Sequence, residues 1–93
     1  MSSSIEFTPR VAIVTGAAQG IGLAIALRLA DDGLNVAVND IAAKETELQN
    51  AVELIEAKGR RGLAVPGNIA NEAEVIAIVE KVADTLGSVD VVS

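Results

Sequence analysis

The stretch from Arg10 to Gly22, Arg-Val-Ala-Ile-Val-Thr-Gly-Ala-Ala-Gln-Gly-Ile-Gly, constrains this chain more than any other. Val11 to Thr15 is an apolar, β-branched run with no polar side, the pattern of a strand covered on both faces of a parallel sheet. Gly16, Gly20 and Gly22 follow, and an apolar stretch of helical composition begins at once. A buried strand that passes through a glycine turn into a helix start is suited to anion binding. The first N–H groups of a helix lack intrahelical partners, the helix dipole is positive there, and glycine lets an anion come close. Three glycines at this place also suit plain close packing of helix on strand.

The rest of the chain repeats the alternation. From Gly20 to Asp32, Ile21, Leu23, Ile25, Leu27 and Leu29 recur at every second position with interleaved alanines, a spacing that fits a strand as well as a helix. The alanine content, the length and Gly33 as a left-handed cap favour a helix. Asn35 to Asn39 reads as a second strand that ends at Asp40. Leu48, Ala51, Val52 and Ile55 then give an amphipathic helix from about Ala43 to Lys58, closed by Gly59. Gly62 to Pro66 is a third strand, with proline at its exit. Asn71 is a good N-cap for a third helix, and Glu74 stands where a capping-box glutamate reaches back. Val75, Val79, Val82 and Leu86 form the expected buried stripe of that helix, Gly87 ends it, and Val89 to Val92 begins a fourth strand.

The order β-α-β-α-β-α-β with short connections predicts an α/β fold: a doubly wound parallel sheet of Rossmann type, with strand order 3-2-1-4. Helices one and two then share one face and helix three lies alone on the other. Strand four is left as an open edge. With 93 residues there is room for one small domain, and a 51% apolar content suffices for a core. Residues 1–9 are expected to be a loose tail in which Pro9 holds Thr8 extended; residues 10–93 carry the domain.

Composition narrows the function classes. There is no cysteine or histidine, hence no thiolate or imidazole metal site and no imidazole base. Thr15 and Ser88 therefore lack the base a hydrolytic mechanism needs. Seven basic residues are scattered among thirteen acidic ones, for a net charge of −6, which does not describe a nucleic-acid face. No run reaches membrane-spanning length, and the N-terminus resembles neither a signal nor a transit peptide, so a cytoplasmic protein is expected.

The glycine spacing excludes a P-loop, because Leu23 and Ala24 rather than Lys and Ser/Thr follow Gly22. Asp40 lies about 20 residues past the turn, where a carboxylate can accept hydrogen bonds from the ribose hydroxyls of an adenine dinucleotide. The same carboxylate repels a 2′-phosphate, and neither Gly16–Gly22 nor Asn39–Ala43 holds an Arg or Lys, so NAD is expected over NADP. Asp40 is also a common type of turn or cap residue, and the two roles are compatible. Asn68, followed by Ile69, lies after strand three and is equally a plain turn asparagine.

Thr15-Gly16-x-x-x-Gly20-Ile21-Gly22 resembles the T-G-x-x-x-G-I-G pattern of the short-chain dehydrogenases/reductases, and the likeness extends from Val11 to Val92. Leu86-Gly-Ser-Val-Asp-Val-Val92 resembles that family's entry into strand four. The resemblance implies that Gly16, Gln19, Gly20, Ile21, Gly22 and Asp40 hold the cofactor. It also implies that Asn68 and Ile69 border the adenine; relatives carry Asp where Asn68 stands, and Asn keeps an acceptor oxygen. The activity implied is interconversion of secondary alcohols and ketones, in proteins that in full length are expected to be homo-oligomers. The family's chemistry needs a Tyr-x-x-x-Lys pair, a Ser and an Asn beyond strand four, where the tyrosine moves the hydroxyl proton. This chain has no tyrosine. The expectation is therefore a truncated cofactor-binding part with no catalytic residue of its own. The alternative is a short, non-catalytic nucleotide-binding product.

Overall fold

A computed structural model describes residues 9–93; the expected tail lies outside these residues apart from Pro9. Strands β1 (Val11–Val14), β2 (Asn35–Val38), β3 (Gly62–Ala64) and β4 (Val91–Val92) alternate with helices α1 (Gly20–Asp31), α2 (Glu45–Ala57) and α3 (Glu72–Leu86). The strands form one parallel sheet in the order β3-β2-β1-β4, as the sequence predicts. Val11 pairs with Asn35, Ala12 with Val91, and Val36 with Gly62.

Every residue of β1 and β2 is buried, because both faces of the central strands are covered. Alternation sends Val14, Val36 and Val38 to one face, against Ala26 and Ala30 of α1 and Leu48, Ala51 and Ile55 of α2. Val11, Ile13 and Ala37 point the other way, against Ile78, Val82 and Leu86 of α3. The helix distribution is that of the doubly wound order. Beside β4 the cover is thin, and Val92 is 64% exposed.

The elements end where the local chemistry dictates. Gly33, Gly59 and Gly87 all have positive φ at the ends of the three helices, the left-handed closure that glycine adopts without a Cβ penalty. The start of the second helix differs from expectation: Ala42–Lys44 is a turn of 3₁₀ helix and α2 proper begins at Glu45.

Two expectations for α3 are corrected. Its buried stripe is Ile78, Val82 and Leu86, whereas Val75 is half-buried and Val79 is exposed. Asn71 does cap the helix, its Oδ1 accepting from the Glu74 N–H at 3.1 Å. The Glu74 carboxylate does not return to Asn71, because the Asn71 N–H already donates to the Asn68 carbonyl at 3.0 Å. It accepts from the Asn68 N–H instead, at 2.9 Å.

Asp90 ties the entry of β4 to β1. Its Oδ2 accepts from the Val11 N–H at 2.9 Å and from the Ser88 hydroxyl at 2.8 Å. The Val11 bond first, then Ser88, holds the carboxyl below the usual carboxylate range; partial desolvation opposes this and the Arg10 charge adds to it. A carboxylate whose folded pKa is depressed contributes stability that is complete above the unfolded value, about 3.9. That contribution is lost as pH falls through the folded value. Acid titration followed by circular dichroism is expected to show this contribution fading below about pH 4, and Asp90→Asn is expected to flatten part of that fall. An unchanged acid limb in Asp90→Asn contradicts this role.

Candidate functional site

The C-terminal ends of the strands gather the glycine turn, the end of β2 and the exit of β3 at one edge of the sheet. The Ala17 N–H donates to the Asn39 carbonyl and the Gly67 N–H to the Asp40 carbonyl, each at 2.9 Å. Asn39 is almost wholly buried, and its Nδ2 donates to the carbonyls of Val65 at 2.8 Å and Gly67 at 3.3 Å. These bonds hold the exits of three strands together.

In the turn, the three glycines have two different tasks. Gly16 and Gly20 both have φ +64°, and a Cβ on either would meet no atom within 4 Å. They give the chain its left-handed corners and leave open space above them. Gly22 is the opposite case. A Cβ there would lie 2.0 Å from the Gly16 carbonyl oxygen and 2.6 Å from its carbon. The first turn of α1 therefore sits directly on the turn that precedes it.

The N-terminus of α1 is left open. Its N-cap, Gln19, is extended and makes no side-chain cap, and the first turn of the helix holds no acidic residue. Ile21 is 81% exposed. The N–H groups that an α-helix leaves unpaired at its start thus face the open side of two glycines, with no carboxylate of the helix competing. That arrangement fits a phosphate group.

Asp40 borders this opening, half-buried. Its Oδ2 accepts from the Ala18 N–H at 3.2 Å and its Oδ1 from the Ile41 N–H at 2.8 Å. Neither the 3₁₀ turn nor α2 receives a side-chain cap, so Asp40 does not cap the second helix. Its side chain joins β2 to the glycine turn.

Asn68 lies after β3, and its Oδ1 accepts from the Ala70 N–H at 2.9 Å in a local turn. The oxygen expected to face an adenine thus serves the turn, the ordinary role of an asparagine at such a place. Ile69 is 56% exposed and borders an apolar hollow of about 50 Å³ with Val79 and Val92. The hydroxyls of Thr15 and Ser88 donate to the Ser93 carbonyl and to Asp90.

The sequence places Lys44 on the second helix, just outside the Asn39–Ala43 stretch that holds no cation. The 3₁₀ turn brings the Lys44 Nζ within 3.4 Å of the Gln19 Oε1, and Glu47 lies 4.0 Å away. The sequence carries no local signal for this: Lys44 closes the 3₁₀ turn and α2 begins only at Glu45.

The profile of the short chain dehydrogenase family matches residues 10–93. This chain belongs to the short-chain dehydrogenase/reductase family. A short-chain dehydrogenase/reductase of Armillaria gallica is 50% identical over 91 residues, which cover 98% of this chain and 35% of that protein. Among solved structures, a blue fluorescent protein from a metagenomic library, in complex with NADPH, superposes with TM-score 0.84 at 42% identity. The match covers 89% of this chain and 34% of that one. A short-chain dehydrogenase/reductase from Burkholderia phymatum, in complex with NAD, gives TM-score 0.82 at 30% identity, covering 95% and 31%. The chain spans about a third of the length of the short-chain dehydrogenase/reductase relatives it matches. Among the described residues, no helix is long and apolar enough to cross a membrane.

Proposed function

We propose that residues 10–93 form the dinucleotide-binding part of a short-chain alcohol/ketone oxidoreductase, with NAD preferred over NADP. One observation carries the reading: Gly22 is packed onto Gly16 while Gly16 and Gly20 stay open beneath an uncapped helix start. In this reading Gly16, Gln19, Gly20, Ile21 and Gly22 bind the diphosphate, with backbone N–H groups donating to its oxygens. Asp40 accepts from the adenosine ribose hydroxyls through the lone pairs that Ala18 and Ile41 leave free. Asn68 and Ile69 border the adenine, Ile69 through its exposed apolar surface and Asn68 through its amide N–H₂, since its oxygen serves the local turn.

When bound, the cofactor supplies hydride transfer to or from a carbon centre. The residues of this chain bind and orient it. None of them supplies the proton that must accompany the hydride, because the chain has no tyrosine to fill the family's role. By itself the chain is expected to bind without turnover, and measurable oxidation of a secondary alcohol by this polypeptide contradicts that.

The preference for NAD rests on Asp40, whose carboxylate and a 2′-phosphate repel each other. Calorimetric titration is expected to show NAD binding roughly tenfold tighter than NADP, an ordinary size for a nearby like-charge contact. Asp40→Asn is expected to narrow that gap. Tighter binding of NADP by the unaltered chain overturns this role.

A further inference from the structure

Three consecutive residues of the glycine turn are tied to the segment after β2. The Ala17 N–H donates to the Asn39 carbonyl at 2.9 Å, the Ala18 N–H to Asp40 Oδ2 at 3.2 Å, and Gln19 Oε1 accepts from Lys44 Nζ at 3.4 Å. These residues lie between Gly16 and Gly20, both in the left-handed region. A turn bounded by two such glycines has little conformational preference of its own, and only held N–H groups bind an anion without an ordering cost.

We propose that Asp40 is a positioning residue for the diphosphate as well as a partner for the ribose, so that the two halves of the cofactor site are coupled through its bond to Ala18. The inference rests on the dinucleotide reading above and adds to it a role that the ribose contact does not require. Charge and geometry make opposite predictions here. If Asp40 acted on the diphosphate only as a nearby anion, its removal would strengthen binding of any phosphate. If it holds the turn, its removal weakens that binding.

The test uses inorganic pyrophosphate, which has no ribose, titrated into the ¹⁵N-labelled 93-residue chain and followed through the amides of Gly16 to Gly22. Asp40→Ala is expected to weaken pyrophosphate binding roughly fivefold, the scale of one partly exposed hydrogen bond to a charged group. Asp40→Asn keeps one oxygen, which serves the Ala18 N–H only by turning its amide N–H₂ towards the Ile41 N–H, so it is expected to bind pyrophosphate more tightly than Asp40→Ala. It still weakens NAD, because it donates where the ribose needs an acceptor. Pyrophosphate binding in Asp40→Ala equal to or tighter than in the unaltered chain overturns the inference and leaves the dinucleotide reading standing. So does an unaltered chain that binds NAD but not pyrophosphate. An unaltered chain that binds neither overturns both. If Asp40→Ala does not fold, hydrogen exchange at the Ala18 amide of the unaltered chain decides: exchange as fast as that of an unbonded amide overturns the inference.

Discussion

Gly22→Ala is expected to remove both the stability of the turn and its ligand. The added Cβ would stand 2.0 Å from the Gly16 oxygen, 2.6 Å from the Gly16 carbon and 3.1 Å from the Ala17 Cα. All three are backbone atoms, so no rotamer change relieves the clash. Helix α1 must move off the turn, at a cost of about 3 kcal/mol or more. The N–H groups at the helix start move with it, and NAD affinity is expected to fall by at least roughly tenfold. Gly20→Ala supplies the comparison, because its Cβ would meet nothing within 4 Å and only its φ of +64° is strained. That substitution is expected to cost about 1–2 kcal/mol. Urea unfolding of the two variants checks the contrast, and a Gly22→Ala chain no less stable than Gly20→Ala contradicts the close-packing account.

The second large effect is expected at Ile55, which is 0% exposed. It lies in the cluster of Val36, Val38, Leu48 and Ala51 between α2 and the sheet. β3 approaches it so closely that a Cβ on Gly62 would stand 3.3 Å from the Ile55 Cβ. Ile55→Ala removes a branched side chain from a packed site and leaves a cavity, at about 2–5 kcal/mol. A domain of this size is stabilised by only about 4–13 kcal/mol in all, so a large share of the folded population at moderate denaturant is expected to be lost. Leu54, the neighbouring apolar residue on the same helix, is 47% exposed, and Leu54→Ala is expected to cost under about 1 kcal/mol. Similar unfolding midpoints for the two variants would contradict the assignment of the buried face.

Element order was legible because the signals are local and agree with one another, and strand order followed from the doubly wound arrangement such an element order adopts. Val11 to Thr15 has no polar side to turn outward, and Gly33, Gly59 and Gly87 end their helices through a backbone conformation that glycine adopts freely. The buried face of α3 was not legible. Val75, Ile76, Ile78, Val79 and Val82 are crowded around one helix, and helical periodicity offers more than one stripe. The choice was made by the sheet, where Val11, Ile13 and Ala37 present their side chains to Ile78 and Val82. The Glu74 expectation failed for a related reason: the Asn71 N–H had a backbone partner in Asn68 that no local pattern announces.

In the candidate site, glycine spacing marked the turn and pointed to the family, and Asp40 was singled out by its distance from the turn. The tie from Asp40 to Ala18 spans 22 positions and depends on how β2 sits beside β1, which spacing does not encode. Lys44 was lost to the boundary of a helix, the least certain feature of any reading from sequence. Asn68 remained ambiguous because its side chain serves turns and ligands with the same atoms, and the structure gives its oxygen to the turn.

Titration of NAD into the ¹⁵N-labelled chain tests whether the glycine turn binds the diphosphate of an adenine dinucleotide. Saturable shifts are expected, centred on the amides of Gly16 to Gly22 and on Asp40, with little change at the opposite end of the sheet near Arg60 and Arg61. No saturable shift, or shifts centred away from the turn, would contradict binding there.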